Sequence, residues 1–215
     1  MKTTIETTYP EFDLLEASID RDLSYNNYQS LKPAQKGSLI SNINFDFSYD
    51  KWVSFNNGIV NEDFVATKQV LGKPLVLSFY SNYWNGKGVD YLKQLSSLSK
   101  QVKSNGGNLV VVSAEAVSED LINLAFENNL SLSFYFDPNN SIADQFGVYS
   151  DNDPIWNWFS GIDNNVPLLS TFVISAEKSI VFNHNYRDYA ETLPANELLN
   201  AVGESAYMRK LLLSA

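Results

Sequence analysis

An α/β domain, with a mixed sheet between layers of helix, is the fold class that three observations predict. Largely apolar runs recur at 75-LVLSFY-80, 109-LVVVS-113 and 132-LSFYF-136. Between them, apolar residues fall at helical spacing. The alternation then stops, and 171-TFVIS-175 and 180-IVFNH-184 stand only four residues apart. Continuous apolar strands alternating with helices are those of a sheet covered on both faces. A four-residue link is too short for a crossover and makes the last two strands a hairpin.

The elements follow in order. Residues 10–23 place Phe12, Leu15, Ile19 and Leu23 on one helical stripe behind Pro10. Residues 24–41 are polar and irregular and read as a connector. The segment 43-INFDFSY-49 alternates apolar with polar as a half-buried strand, and Val53–Phe55 continues the pattern to a turn at Asn57-Gly58. A short helix is expected from an N-cap at Asn61 to a stop before Gly72-Lys73-Pro74. After the 75–80 strand, Val89, Leu92, Leu95, Leu98 and Val102 line one face of a helix that Gly106-Gly107 ends. Ser118 caps the next helix, which carries Leu121, Leu124 and Ala125. Asp137-Pro138 pairs an N-cap with Pro at N1 and opens a helix reaching Phe146. The final helix starts near Ala195.

This order, β–α–β–α and then β–β–α with an antiparallel hairpin, is the thioredoxin arrangement. A doubly wound flavodoxin-like sheet would replace the hairpin with another crossover. The expected architecture is therefore a thioredoxin-like three-layer sandwich with a central mixed sheet, helices on both faces, and an N-terminal helix and strand extension. Residues 1–40 form the N-terminal helix and connector, and 41–215 the domain.

Composition narrows the chemistry. The chain has 215 residues, 44% hydrophobic and 13% aromatic, enough for one domain with a substantial core. Its formal charge of −10 repels phosphate backbones and makes nucleic acid an unsuitable partner. It contains no cysteine, which removes disulfides, thiolate nucleophiles and thiolate metal ligands together. With His184 as its only histidine, a multi-histidine metal site or a His-dependent triad is hard to build. Neither a metal nor a cofactor is expected. No apolar run approaches the roughly 20 residues that span a bilayer, and MKTTIETTYPEFDLLE lacks the apolar core of a secretory signal. A soluble, cytoplasmic protein without membrane association is the expectation.

Residues 73–202 resemble the peroxiredoxin-like branch of the alkyl hydroperoxide reductase and thiol-specific antioxidant family. That branch reads P-V-V-L-S-F-Y-R-G-x-W-C-P-Y-C where this chain reads P-L-V-L-S-F-Y-S-N-Y-W-N-G-K-G. The stretches GGNLVVVSAEAVSEDL, ENNLSLSFYFDPNNSIADQFGV, VPLLSTFVIS and RDYAETLPANELLNAV continue the likeness in the family's order and spacing. The resemblance implies a peroxiredoxin-type fold and, by ancestry, an antioxidant oxidoreductase. It also implies where the site should be. The family's first cysteine falls on Asn85 and its second on Gly88. A frequent threonine falls on Asn82, and the arginine after Phe-Tyr on Ser81. The cis-proline position is Leu169, between the retained Pro167 and Thr171, and Thr192 stands where a later arginine is expected.

Peroxide reduction in that family requires a thiolate favoured by the amides and dipole of a helix N-terminus. The amide of Asn85 has no such anionic form and no oxidation ladder. With no other cysteine in the chain, thiol peroxidase and disulfide-exchange chemistry have no nucleophile.

The same scaffold carries other candidate groups. Lys87, at a helix start, is either a nucleophile or a solvated turn residue. His184 either pairs with Asp188 or is structural, and Asp188 and Glu191 are either paired carboxylates or loop-solvating charges. The spacing in 84-WNGKG-88 is not that of a P-loop. Two readings of the turn remain. Asn82, Tyr83, Trp84, Asn85, Gly86, Lys87, Gly88, Leu169 and Thr171 form a depression for a peptide or small ligand, or Trp84 and Leu169 fill the gap as core. The loop 155-IWNWFSG-161 is the second place of interest. Its Trp156, Trp158 and Phe159 either pack over the sheet or form a surface for a protein partner or a homodimer.

Overall fold

Burial on both faces is the organising fact of the sheet. The computed structural model describes residues 30–61 and 72–214. The helix expected at 10–23, and positions 62–71 of the helix expected after Asn61, lie outside them. Strand β1 spans Trp52–Asn56, β2 Ile59–Asn61, β3 Leu75–Tyr80, β4 Asn108–Ser113, β5 Ser133–Phe136, β6 Ser170–Ile174 and β7 Ile180–Asn185. The α-helices are α1 (Asn85–Ser104), α2 (Glu119–Glu127), α3 (Ser141–Gln145) and α4 (Ala195–Ser214).

The strands form one sheet in the order β2-β1-β5-β4-β3-β6-β7. β3, β4 and β5 are parallel; β6 runs antiparallel to β3, and β7 antiparallel to β6. On the other side β1 pairs antiparallel with β5 and β2 with β1. Every residue of β3 and β6 is buried, which requires cover on both faces. This is the thioredoxin-like three-layer α/β fold, and the closing hairpin excludes the doubly wound alternative.

Two boundaries differ from expectation. Residues 43–48 keep the alternation, with Ile43 and Phe45 buried and Asn44 and Asp46 exposed, yet they form no strand. Side chains take up the backbone there: the Asp46 N–H donates to the Tyr135 hydroxyl at 3.1 Å, and Trp52 Nε1 donates to the Asp46 carbonyl at 2.8 Å. Phe45 then packs edge-on to Tyr135, with ring centroids 4.8 Å apart. Asn57-Gly58, with φ of 48° and 80°, turns β1 back into β2, which ends at Asn61.

The second difference concerns α3, which starts at Ser141 and not at Pro138. Asp137 still provides the cap, from one turn further back. Its buried carboxylate accepts from the N–H groups of Ser141, Ile142 and Ala143 at 3.0, 2.7 and 3.3 Å. Ser118 caps α2 as expected, its Oγ accepting from the Leu121 N–H at 3.2 Å.

Candidate functional site

The turn between β3 and α1 is built from the strand outward. Ser81, fully buried, directs its hydroxyl to Glu115 Oε1 at 2.5 Å and accepts from the Tyr83 N–H at 3.2 Å. The other oxygen of Glu115 accepts from the Asn82 N–H at 3.2 Å and from Ser113 Oγ at 3.0 Å. One carboxylate from the segment after β4 thus holds the start of the turn. The Tyr80 hydroxyl donates to Asn82 Oδ1 at 3.0 Å, and burial, with the Glu115 charge added, pushes its pKa well up. Glu115 was not singled out by sequence; its only signal was a lone acid just after an apolar strand.

Further along, the turn is filled. Trp84 is 3% exposed and its indole N–H donates to the Pro167 carbonyl at 2.9 Å. Its ring stands edge-on to Phe159 at 4.9 Å. A Cβ on Gly88 would lie 2.9 Å from Tyr80 Cε2 and 3.0 Å from Trp84 Cβ, so position 88 has room for no side chain unless these groups move. Leu169 and Thr171 are fully buried. The Thr171 hydroxyl meets Tyr91 Oη at 2.6 Å and Ser78 Oγ at 3.0 Å, a network inside the domain. Of the residues placed at the turn by sequence, Trp84, Gly88, Leu169 and Thr171 are therefore interior. Tyr83, Asn85 and Gly86 are exposed, and Asn82 and Lys87 lie partly buried between.

Asn85 opens α1 with φ 49° and ψ −136°, and no side chain caps this helix. Lys87 is a tether: Nζ donates to the carbonyls of Tyr189 and Glu191 at 2.8 and 2.6 Å and lies 4.8 Å from the Tyr186 ring centroid. The loop it holds is closed on itself. Asp188 Oδ1 accepts from the N–H groups of Ala190 and Glu191, and Glu191 Oε2 accepts from the Arg187 N–H at 2.8 Å. Asp188 and Glu191 are thus engaged by backbone. The buried Nε2 of His184 has no hydrogen-bond partner, and burial lowers its pKa from the ordinary value. Its ring packs edge-on to Tyr186, with centroids 4.9 Å apart. Thr192 is exposed.

The aromatic loop divides. Ile155 and Phe159 are buried, whereas Trp156 and Trp158 are 47% and 43% exposed. Trp158 Nε1 donates to Asp153 Oδ2 at 2.9 Å, which fixes the ring at the surface. Tyr189 donates to the Ser160 carbonyl at 2.7 Å and packs against Phe159 at 5.3 Å. Trp84, Phe159 and Tyr189 thus form one aromatic cluster, with the half-exposed Tyr83 next to it in the turn and Trp156 and Trp158 in the loop that supplies Phe159. Tyr189 was missed by sequence because it joins this region only across the fold. Concave space lies elsewhere too: a groove of about 630 Å³ between β7 and α4, lined by residues including Asn183, Glu197 and Ser205, contains no residue of the 82–88 turn.

Among the described residues, no group of three or more His, Asp or Glu could hold a metal ion, and no helix is long and apolar enough to cross a membrane.

The strand–turn–helix unit, the hairpin and the sheet order define a thioredoxin-like protein of the peroxiredoxin type. The profile of the AhpC/TSA family matches residues 49–183, and the chain belongs to that family. Solved structures agree in fold. Enterococcus faecalis AhpC is 19% identical with a TM-score of 0.55, the match covering 80% of this chain and 95% of that one. The mitochondrial 2-Cys peroxiredoxin from Plasmodium falciparum is 14% identical with a TM-score of 0.55, covering 81% and 96%. Mycobacterium tuberculosis AhpC is 12% identical with a TM-score of 0.55, covering 80% and 92%. No curated protein sequence matches.

Proposed function

We propose that this protein is a non-catalytic member of its family that binds a protein or peptide partner through the aromatic face beside the former redox turn. The observation that carries the reading is the set of half-exposed rings, Tyr83, Trp156, Trp158 and Tyr189, of which Tyr189 packs on the buried Trp84–Phe159 pair. Rings of this kind offer large contact area at little cost in side-chain entropy, and they are enriched in interfaces. Packing at Trp84 and Gly88 speaks against a deep pocket for a small ligand at the same place. A non-thiol enzyme built on Lys87 is disfavoured because its ammonium is committed to two carbonyls.

Chemical-shift perturbation with a library of apolar and aromatic peptides tests the proposal. Shifts clustered at 83, 156, 158 and 189, and lost in Trp158→Ser, support it. A response absent from every peptide, or unchanged in Trp158→Ser, contradicts it. Sedimentation of the same two proteins separates a foreign partner from a second copy of this chain. The proposal also places the protein in the cytoplasm, which cell fractionation checks.

A further inference from the structure

The chain contains three Asn-Gly pairs, Asn57-Gly58, Asn85-Gly86 and Asn105-Gly106. In such a pair the glycine amide nitrogen can attack the asparagine side-chain carbonyl, because no Cβ crowds the approach. The ring that forms contains Cα, Cβ, Cγ and the carbonyl carbon of the asparagine, with the glycine nitrogen. It closes only if Cβ and that nitrogen are nearly eclipsed about the Cα–C bond. For an L-residue this eclipse falls at ψ of about −120°, set by tetrahedral geometry and chirality.

The three sites differ in that respect. Asn85 has ψ −136°, close to the closing geometry. Gly86 is exposed, with nothing within 4 Å of where a Cβ would stand. As the second residue of α1, Gly86 has no carbonyl four residues back within the helix to hold its N–H. Asn105 has ψ 4°, more than a right angle away, and the Gly106 N–H donates to the Lys103 carbonyl at 3.0 Å. The Gly58 N–H donates to the Leu130 carbonyl at 2.8 Å, and a Cβ there would lie 2.7 Å from Phe126 Cα. The fold holds two of the pairs away from reaction and sets the third for it.

We propose that Asn85 is a modification site, converted in the folded protein to aspartate and isoaspartate through a succinimide with Gly86. The Gly86 N–H gives its proton to hydroxide, and the nitrogen forms a bond to Asn85 Cγ. The Cγ–Nδ2 bond then breaks as Nδ2 takes a proton from water, so that ammonia leaves and hydroxide is regenerated. Water opens the ring: attack at Cγ gives aspartate, and attack at the Asn85 carbonyl carbon gives the isoaspartyl backbone. No oxidant or reductant takes part. The product carries one new negative charge at the residue where the family has its first cysteine.

Ageing the folded protein in neutral to mildly basic buffer, followed by peptide mapping with fragmentation that resolves isoaspartate, tests this. Residue 85 is expected to convert at least an order of magnitude faster than 57 and 105, faster still as pH rises. In denaturant the three rates should converge, with 57 and 105 accelerating. Gly86→Ala, which fits the open space, should slow conversion at 85 by an order of magnitude. Conversion at 57 or 105 as fast as at 85 in the folded protein overturns the proposal. So does a rate at 85 that rises on unfolding as much as the other two, or that is unchanged in Gly86→Ala.

Discussion

The starts of α1 and α3 solve the same problem in opposite ways. Each helix follows a parallel strand, β3 or β5, and each entry passes through an asparagine with left-handed φ, Asn85 at 49° and Asn140 at 52°. At α3 the amides are taken by Asp137, whose carboxylate accepts from three backbone N–H groups and from Ser141 Oγ at 2.8 Å. At α1 no side chain caps the helix, and the nearby carboxylate of Glu115 instead holds the turn before it. One start is satisfied by a carboxylate; the other has no side-chain cap. The interior positions around the start of α1 are packed with Trp84, Leu169 and a side-chain-free Gly88.

The contrast can be broken at either end. Asp137→Ala leaves three amides at a buried helix start without their acceptor, and should cost about 3 kcal/mol of stability, read as a lower urea midpoint. Gly88→Ala forces a Cβ against Tyr80 and Trp84. It should cost about 2 kcal/mol through overpacking, and a stability equal to wild type would show that the turn is looser than its contacts imply. Asn85→Gly should act in the other direction. It relieves a positive φ that glycine adopts freely, for a gain of about 1 kcal/mol, measured in the same titration.

Much of the frame was legible because it depends on local pattern. Apolar strands, the Ser118 cap, the Gly106-Gly107 stop and the four-residue hairpin each state their geometry within a few residues. Residues 43–48 show where pattern stops short: alternation reports which side chains are buried, not whether the backbone pairs. Asp137 was rightly read as a cap, while the start of α3 shifted because a cap can reach its amides across an intervening turn. The site was legible only as positions. That Thr171 faces Tyr91 inside the domain depends on contacts between segments far apart in sequence. The same is true of Lys87 reaching the carbonyls of Tyr189 and Glu191, and of Gly88 lying under Tyr80.

The central claim is that a peroxiredoxin-type frame here carries no thiol peroxidase chemistry, since no cysteine occurs in the chain. The most direct measurement is peroxide consumption by the purified protein with a thiol reductant, against a heat-denatured control. The account predicts identical rates in the two. Turnover above the control would contradict it.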